Sequence, residues 1–295
     1  MSYRFLALIF FAATFAGAQQ APSTWADVDK NLGRSGQESD GVYKISFPRS
    51  DLNVHIGPTK LEPGAALGSW AAFNSSGNGV IADGDLVVTS DELGPVVSAL
   101  QGHQFEVTGI HNHLAGETPA VYYVHFFGRG TAAQVSSAVD AALKATKTPR
   151  GPAPAAAPAN INYDRATIEK ILGKSGQAKG KVLSFSFPRA HKITMHRQEL
   201  PPAMGMATSI NFQPSGLSMG GVGATGDFVV EEAQVQGVVY ALRAHDILVT
   251  ALHNHLLDDS PRMVFIHFWA EGPASEVAQG LKAALDANNG AKGQH

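Results

Sequence analysis

The feature that most restricts what this chain can fold into is an internal repeat. The segment His103-Gln-Phe-Glu-Val-Thr-Gly-Ile-His111-Asn-His113-Leu114 returns as His245-Asp-Ile-Leu-Val-Thr-Ala-Leu-His253-Asn-His255-Leu256, displaced by 142 residues (His111 to His253). The same displacement carries Asp85 onto Asp227, Pro119 onto Pro261, and Val124-His125-Phe126 onto Ile266-His267-Phe268. Upstream, Ser46-Phe47-Pro48-Arg49 matches Ser186-Phe187-Pro188-Arg189 at a displacement of 140. Loops of unequal length therefore separate the blocks. A period this long belongs to a whole domain, not to a solenoid unit, and 295 residues accommodate two such domains. We read residues 19–147 as the first domain and 160–290 as the second. The Pro/Ala-rich stretch 148–159 between them is a semi-stiff linker.

Residues 1–18 read as a signal peptide. Arg4 supplies the positive start, Phe5 to Phe15 form an apolar stretch short for a bilayer, and Ala16-Gly17-Ala18 offers a cleavage site before Gln19. The alternative is an uncleaved N-terminal anchor. The first reading predicts a secreted or periplasmic mature chain without a transmembrane segment. With 22 Lys+Arg against 25 Asp+Glu there is no basic surface for neutralising phosphates, so no nucleic-acid partner is expected. The absence of cysteine excludes disulfides, thiolate zinc sites and cysteine nucleophiles. Any metal must be held by histidine, carboxylate or water.

Within one copy the pattern predicts short strands at Tyr43–Phe47, Leu52–Ile56, Ser69–Phe73 and Gly84–Val88. A helix capped by Thr89 or Ser90 runs to about Leu100, with Asp91 and Glu92 favourable in its first turn. Strands Phe105–Leu114 and Ala120–Gly128 form a hairpin, and a helix over Thr131–Ala145 closes the unit, with Val135, Val139 and Leu143 on one face. Shorter helices near Trp25–Leu32 and Tyr163–Leu172 open the two copies. Gly173-Lys-Ser after the second is a helix C-cap and turn, because a phosphate loop needs an earlier glycine and a preceding strand. The expected fold class is α+β: two tandem copies of a mixed sheet-plus-helices domain, with a ferredoxin-like βαββα core as the candidate topology.

Eight of the twelve histidines are paired by the repeat: His103/His245, His111/His253, His113/His255 and His125/His267. Residues two apart on a strand share a face, so His111 and His113 point together. A hairpin with Leu114 opposite Tyr122 places His125 across from His111 on that face, with β-carbons about 4.5–5.5 Å apart. Two imidazoles can then reach one ion at about 2.0–2.1 Å, and a one-residue bulge would undo the arrangement. His111-x-His113-x-x-x-Glu117 and His253-x-His255-x-x-x-Asp259 add a carboxylate to each copy. The candidate metal residues are thus His111, His113, His125 and Glu117, and His253, His255, His267 and Asp259. Three imidazoles with an acid suit zinc with an open position first, and also octahedral iron or manganese, or copper. Hydrogen-bonded structural histidines are the alternative.

Other residues carry weaker expectations. His103 and His245 lie where a helix meets a strand and suit its C-terminus. His55, His191 and His196 have no clean repeat partner and no assigned role. Asp85 and Asp227 follow glycines at a strand entrance and read as Asx-type turns. Arg49 and Arg189 suit a structural salt bridge or an anionic ligand. Tyr123 and Phe127, with Phe265 and Trp269, set rings beside the histidines, as core or as pocket walls.

The Phe-Pro-Arg strand, the Gly-Asp strand and the His-Asn-His-Leu…His-Phe combination resemble the LppY/LpqO-type family of exported bacterial proteins, along essentially the whole mature chain and including its duplication. That resemblance implies export and the repeated unit, and it implies no reaction. The chain departs from the lipoprotein pattern in having no cysteine for lipid attachment. A local likeness to the cupin motif covers His111, His113 and Glu117, but the flanking glycines are missing and the helices suit a cupin barrel poorly.

Taken together, the residues predict an exported protein whose duplicated His-x-His…His hairpins bind a divalent metal, zinc above others. A non-metal envelope-ligand or small-molecule binding protein, a structural or interaction protein, and a metal-dependent hydrolase are the alternatives. The duplication also allows pseudo-twofold packing of the repeats, which would bring both clusters to one interface.

Overall fold

The computed structural model describes residues 25–153, 155 and 157–290; the expected signal peptide and its alternative, the anchor, lie outside them. The first repeat runs α1 (Ala26–Leu32), β1 (Gln37–Ser39), β2 (Val42–Pro48), β3 (His55–Ile56), β4 (Thr59–Lys60), β5 (Gly68–Ser76), β6 (Gly79–Val88), α2 (Ser90–Gly102), β7 (Glu106–His111), β8 (Glu117–Thr118), β9 (Tyr122–Gly130) and α3 (Ala132–Lys144). The second runs α4 (Arg165–Leu172), β10 (Gln177–Lys179), β11 (Val182–Pro188), β12 (Ile193–Met195), β13 (Gln198–Leu200), a 3-10 turn at Pro202–Met204, β14 (Ala207–Pro214), β15 (Val222–Glu231), α5 (Glu232–Ala244), β16 (Leu248–His253), β17 (Asp259–Ser260), β18 (Met263–Gly272) and α6 (Ala274–Gly290).

Each repeat builds a six-stranded antiparallel sheet, in the order β1-β2-β5-β6-β9-β7 and β10-β11-β14-β15-β18-β16. The βαββα succession is present as β6-α2-β7-β9-α3, with β9 seated between β6 and β7 as in a split βαβ unit. The remaining strand beside β6 is β5, which precedes the succession in the chain. The fold class is therefore α+β with a duplicated domain.

Local chemistry sets the helix limits. Thr89 and Glu92 form a reciprocal capping box at the start of α2, and Thr131 and Gln134 do the same for α3. α1 and α4 end at Gly33 and Gly173, whose φ of 65° and 68° is the left-handed C-cap conformation that glycine adopts without strain. The hairpin expected across 105–128 is looser than the sequence reading: β7 and β9 pair, but the connection between them contributes β8, which pairs with β3. Of the strand expected at Leu52–Ile56, only His55 and Ile56 are extended in a ladder. β6 begins five residues earlier than expected, because nearly all of it is buried and it lacks a clean polar/apolar alternation.

One face of each sheet is covered by that repeat's own helices. Ile45, Phe47, Phe73, Leu86 and Phe126 pack there against Val96, Val135 and Val139; Phe185, Phe212, Phe228 and Phe268 pack against Val238 and Leu281. The other two faces meet each other. The β12–β13 hairpin and the 3-10 turn bring Met195, Leu200 and Met204 onto Ala72, Ile81 and Phe127 of the first sheet. Reciprocally, Val54, Leu61 and Leu67 around the β3–β4 hairpin share a cluster with Tyr123 of their own sheet and with Trp269 of the second sheet. Each repeat thus clasps the other. Polar contacts lock the clasp: the Glu62 amide donates to Gln213 Oε1 (2.9 Å), and Gln213 Nε2 donates to the Lys60 carbonyl (2.8 Å). The linker is docked at both ends, through Arg34 Nε to the Gly151 carbonyl (2.8 Å) and the Asn160 amide to the Gly180 carbonyl (2.7 Å). Among the described residues no helix is long and apolar enough to cross a membrane.

Arg49 and Arg189 act within the fold. Arg49 is fully buried; its guanidinium donates to the Val87 carbonyl (2.6 Å), to Glu92 (2.7 Å) and to Asp51 (2.8 Å). Glu92 in turn accepts from the amides of Thr89 and Lys147, so one ion pair ties β2, β6, α2 and the end of α3. In the second repeat Gln234 stands where Glu92 stands, and Arg189 reaches Gln234, Asn288 and the less buried Glu231. Removing one partner of a buried pair strands the other, at a cost of about 3–5 kcal/mol. Arg49→Ala is therefore expected to destabilise the protein by about that amount in urea unfolding, and Arg189→Ala by clearly less. Equal losses would contradict this account.

Candidate metal centre

Register decides where the histidines face. His125 of β9 lies opposite Asp85 of β6 and Gly109 of β7, and His111 lies opposite Tyr123. His111 and His125 are thus displaced by two residues from the direct pairing expected from the sequence. Because the displacement is even, they keep a common face. The bulge in this ladder falls between Val107 and Gly109, before the histidines. A β-carbon at Gly109 would meet the His125 ring at 3.4 Å, and the second repeat carries Ala251 at the matching place. The second repeat repeats the row: His267 faces Asp227 and Ala251, and His253 faces Phe265.

Because these faces are the ones the two repeats press together, the six histidines form one cluster. His111 and His253 have ring centroids 3.6 Å apart, His113 and His267 3.9 Å, and His125 and His255 3.7 Å. His111 Nε2 and His125 Nε2 are 2.8 Å apart. Two groups, His111/His253/His255/His267 and His111/His113/His125/His255, bring four donor atoms within 4.8 Å of one another. A tetrahedral ion with ligands at about 2.0–2.1 Å needs nitrogens spaced by about 3.4 Å, which small ring rotations supply.

The rings are also held in a ligating orientation. His111 Nδ1 lies 3.2 Å from the Asn112 carbonyl, His253 Nδ1 3.2 Å from that of Asn254, and His267 Nδ1 3.2 Å from that of Gly226. An Nδ1–H donated to a carbonyl leaves the Nε2 lone pair facing the cluster. The asparagine between the paired histidines ties the chain back: Asn112 Nδ2 donates to the Val121 carbonyl (2.7 Å) and Asn254 Nδ2 to that of Met263 (2.6 Å). His113 stacks on Tyr123 and His255 on Phe265, with centroids 3.3 and 3.6 Å apart. Nε2 of His113, His253, His255 and His267 is buried without a hydrogen-bond partner. Such orphaned acceptors are costly, and a metal ion satisfies them together. The donor set therefore fits a metal.

Burial lowers the basicity of all six imidazoles, and the neighbouring rings of the cluster lower that of most of them further. His111 is taken down to about 3. The rings are neutral near pH 7, the form that coordinates metals.

Asp85 and Asp227 are not turn residues. They sit mid-strand, paired with His125 and His267 on the histidine face. Asp85 Oδ2 is 3.7 Å from His113 Nε2, and its Oδ1 is 4.0 Å from His125 Nε2. Burial, then the charge of Asp227, pushes the Asp85 carboxyl well up; burial raises Asp227 to about 6, opposed by the hydroxyl of Ser209, which donates to it. Asp85 Oδ1 has no hydrogen-bond partner. A short polar side chain after glycine reads as a turn unless the buried run around it is seen to be one long strand.

Glu117 and Asp259 stand apart from both four-histidine groups. Glu117 lies in β8, paired through its backbone with Ile56, and Asp259 accepts from the Met263 amide (2.6 Å) and pairs with Met195. Their place is the connection between strands. His103 and His245 are the C-cap residues of α2 and α5. His196 contacts Glu106 (3.0 Å) and Asp258 (3.3 Å), and His191 contacts Glu231, both away from the cluster. A cavity of about 480 Å³ opens beside the cluster, reached by Asp85, His113, His125, His255, His267 and Asp227, with Lys44 and Trp70 in its wall.

The chain belongs to the family described as Domain of Unknown Function (DUF1259), whose model matches residues 26–145 and again 166–287. No curated protein matches it. Two solved structures align over most of the chain. One is the trimeric bacterial microcompartment shell protein PduB (12% identity, 89% of this chain and 95% of that one, TM-score 0.25). The other is EtuB from Clostridium kluyveri (13% identity, 86% and 90%, TM-score 0.21). Overlap this low carries no argument about fold or function.

The buried neutral rings set a pH dependence for the metal-free protein. In the unfolded chain each histidine titrates near 6.5; in the fold its value lies lower. Below about 6.5 the unfolded state binds more protons, so stability falls as pH falls and is fully present above that value. The raised buried carboxyls of Asp83, Asp85 and Asp227 act in the opposite sense, but six imidazoles outnumber them, so the urea midpoint of metal-free protein should drop from pH 7 to pH 5. A flat profile would contradict a cluster of buried neutral imidazoles.

Proposed function

We propose that this is an exported protein that binds a divalent metal ion, zinc first among candidates, at a single centre shared by its two repeats. The observation that carries the reading is the convergence of six imidazoles from both repeats, four of them with buried Nε2 atoms that have no other partner. The ligands are His111, His113, His125, His253, His255 and His267, and no single arrangement needs all six. Glu117 and Asp259 order the connecting segments and are not ligands. All-imidazole donors suit zinc, copper and nickel better than magnesium or calcium. The sequence of residues 1–18 and the resemblance to exported LppY/LpqO-type proteins support export.

A hydrolytic version of this reading is favoured by Asp85. Asp85 borders the cavity beside the cluster and its Oδ1 has no hydrogen-bond partner, and a carboxylate so placed accepts a proton from attacking water. When bound, the ion would polarise that water. Asp85 takes the part that spacing alone gave to Glu117.

His111 and His255 belong to both four-histidine groups. Elemental analysis of purified protein should find stoichiometric metal, and His111→Ala or His255→Ala should lower zinc affinity at least a hundredfold while circular dichroism stays native. Glu117→Gln should leave affinity within about threefold. Parent protein that takes up neither zinc, copper nor nickel would overturn the reading and leave the cavity as a site for an envelope ligand without metal.

A further inference from the structure

The two repeats have diverged on the cavity side, and the divergence is concentrated in a few positions. Ser46, Trp70, Asp85 and His125 line up across the first sheet where Ser186, Ser209, Asp227 and His267 line up across the second. One step along the strands, Lys44, Ala72 and Asp83 answer to Ser184, Asn211 and Thr225. The histidines and the aspartate beside them are kept twice. The lysine and the tryptophan are built once.

Lys44 is set into the cavity wall with its Nζ 3.8 Å above the Trp70 ring, and it donates one hydrogen bond, to the Ala203 carbonyl of the other repeat (3.2 Å). An ammonium has three donors. Among the described residues no carboxylate comes within the 4.0 Å of an ion pair. Asp83, Asp227 and Asp85 lie near enough to act on it by charge, and burial nonetheless lowers it to about 8, so it is still mostly protonated near pH 7. Trp70 fixes the ammonium from below by cation–π attraction and blocks one side, leaving its remaining donors for whatever occupies the cavity. The same cavity is bounded by His113, His125, His255 and His267, and by hydroxyls of Ser184 and Ser186. Its volume is that of a small-molecule site.

We propose that this cavity binds a small dicarboxylate, one carboxylate directed to the histidine cluster and the other to the Lys44 ammonium. Lys174 of the second repeat also borders the cavity, but it is exposed and its Nζ donates to the Ser186 carbonyl, so Lys44 is the buried ammonium that gives the site a direction the pseudo-twofold cluster lacks. A carboxylate accepting from an ammonium is a charge-assisted pair, and the hydroxyl-lined wall suits an oxygen-rich ligand. The proposal rests on the metal reading for one of its two anchors and on Lys44 alone for the other.

The test titrates succinate and malonate, with acetate and glycerol as controls, into zinc-loaded and metal-free full-length protein by calorimetry, with metal content measured on the same samples. Zinc-loaded parent should bind a dicarboxylate at least tenfold more tightly than acetate. Lys44→Met should erase that advantage with zinc content unchanged, and Lys44→Arg should keep part of it. Dicarboxylate binding to metal-free protein that is lost in Lys44→Met would support the lysine anchor even where the metal reading fails. Dicarboxylate and acetate binding alike, or binding unchanged in a Lys44→Met protein whose thermal melt matches the parent, would overturn the proposal. Inorganic phosphate binding instead of either dicarboxylate would overturn it too.

Discussion

A sheet has two faces, and each repeat carries helices for only one of them. The uncovered face must be buried against something apolar and shape-matched, and here the other repeat supplies it. Ala72, Ile81 and Phe127 of the first sheet share a cluster with Met195, Leu200 and Met204 of the second repeat, and Trp269 of the second sheet is buried among Val54, Leu61 and Tyr123 of the first repeat. The remainder of the structure follows from this dependence. The hairpins β3–β4 and β12–β13 look like decorations of their own repeats, yet they reach the opposite sheet. The linker ends are docked so that the two halves stay in register.

The same dependence explains why polar groups are tolerated at the centre of the join. A buried imidazole costs less when its ring stacks or its Nδ1 has a carbonyl; His113 and His255 stack on Tyr123 and Phe265, and Nδ1 of His111, His253 and His267 lies by a carbonyl. The cost concentrates on Nε2. Four unpartnered nitrogens and a free carboxylate oxygen at one place are more than a folded core ordinarily retains. Apolar clusters lie beside the histidines; His125, His255 and His267 are buried and border the cavity, whereas His111 and His253, outside its lining, are half-buried. Neutral imidazole donors without other partners, beside an open cavity, suit metal-binding chemistry.

Much of this was legible in the sequence because strand alternation preserves information that register errors do not destroy. His111, His113 and His125 were placed on one face from parity alone, and a two-residue displacement of the pairing left that face intact. Helix caps at Thr89 and Gly173 were equally readable, since each uses local hydrogen bonds or a local φ. Glu117 and Asp259, close to His-x-His in sequence, fall in neither four-histidine group: the chain turns away at the end of β7 and β16 and places those acids on β8 and β17. Asp85 and Asp227 were visible as a repeated pair, but their role depends on β6 and β15 being buried on both faces. Composition does not display that, because nothing alternates.

Lys44 marks the limit of reading by repeats. Internal repetition directs attention to what two copies share, which here is the cluster and the fold that carries it. What distinguishes one cavity wall from the other is a residue present in one copy and replaced by Ser184 in the next, and comparing the copies by similarity discards it. Duplication fixes the symmetric part of a site by requiring both halves to close the same join. Once the join is stable, positions on its cavity side carry no packing duty and are free to diverge. Ser209 has turned its hydroxyl to Asp227, whereas Trp70, in the matching place, braces Lys44 and leaves Asp85 with a free oxygen. The symmetric residues gather the imidazoles, and the asymmetric ones make the two cavity walls chemically unlike.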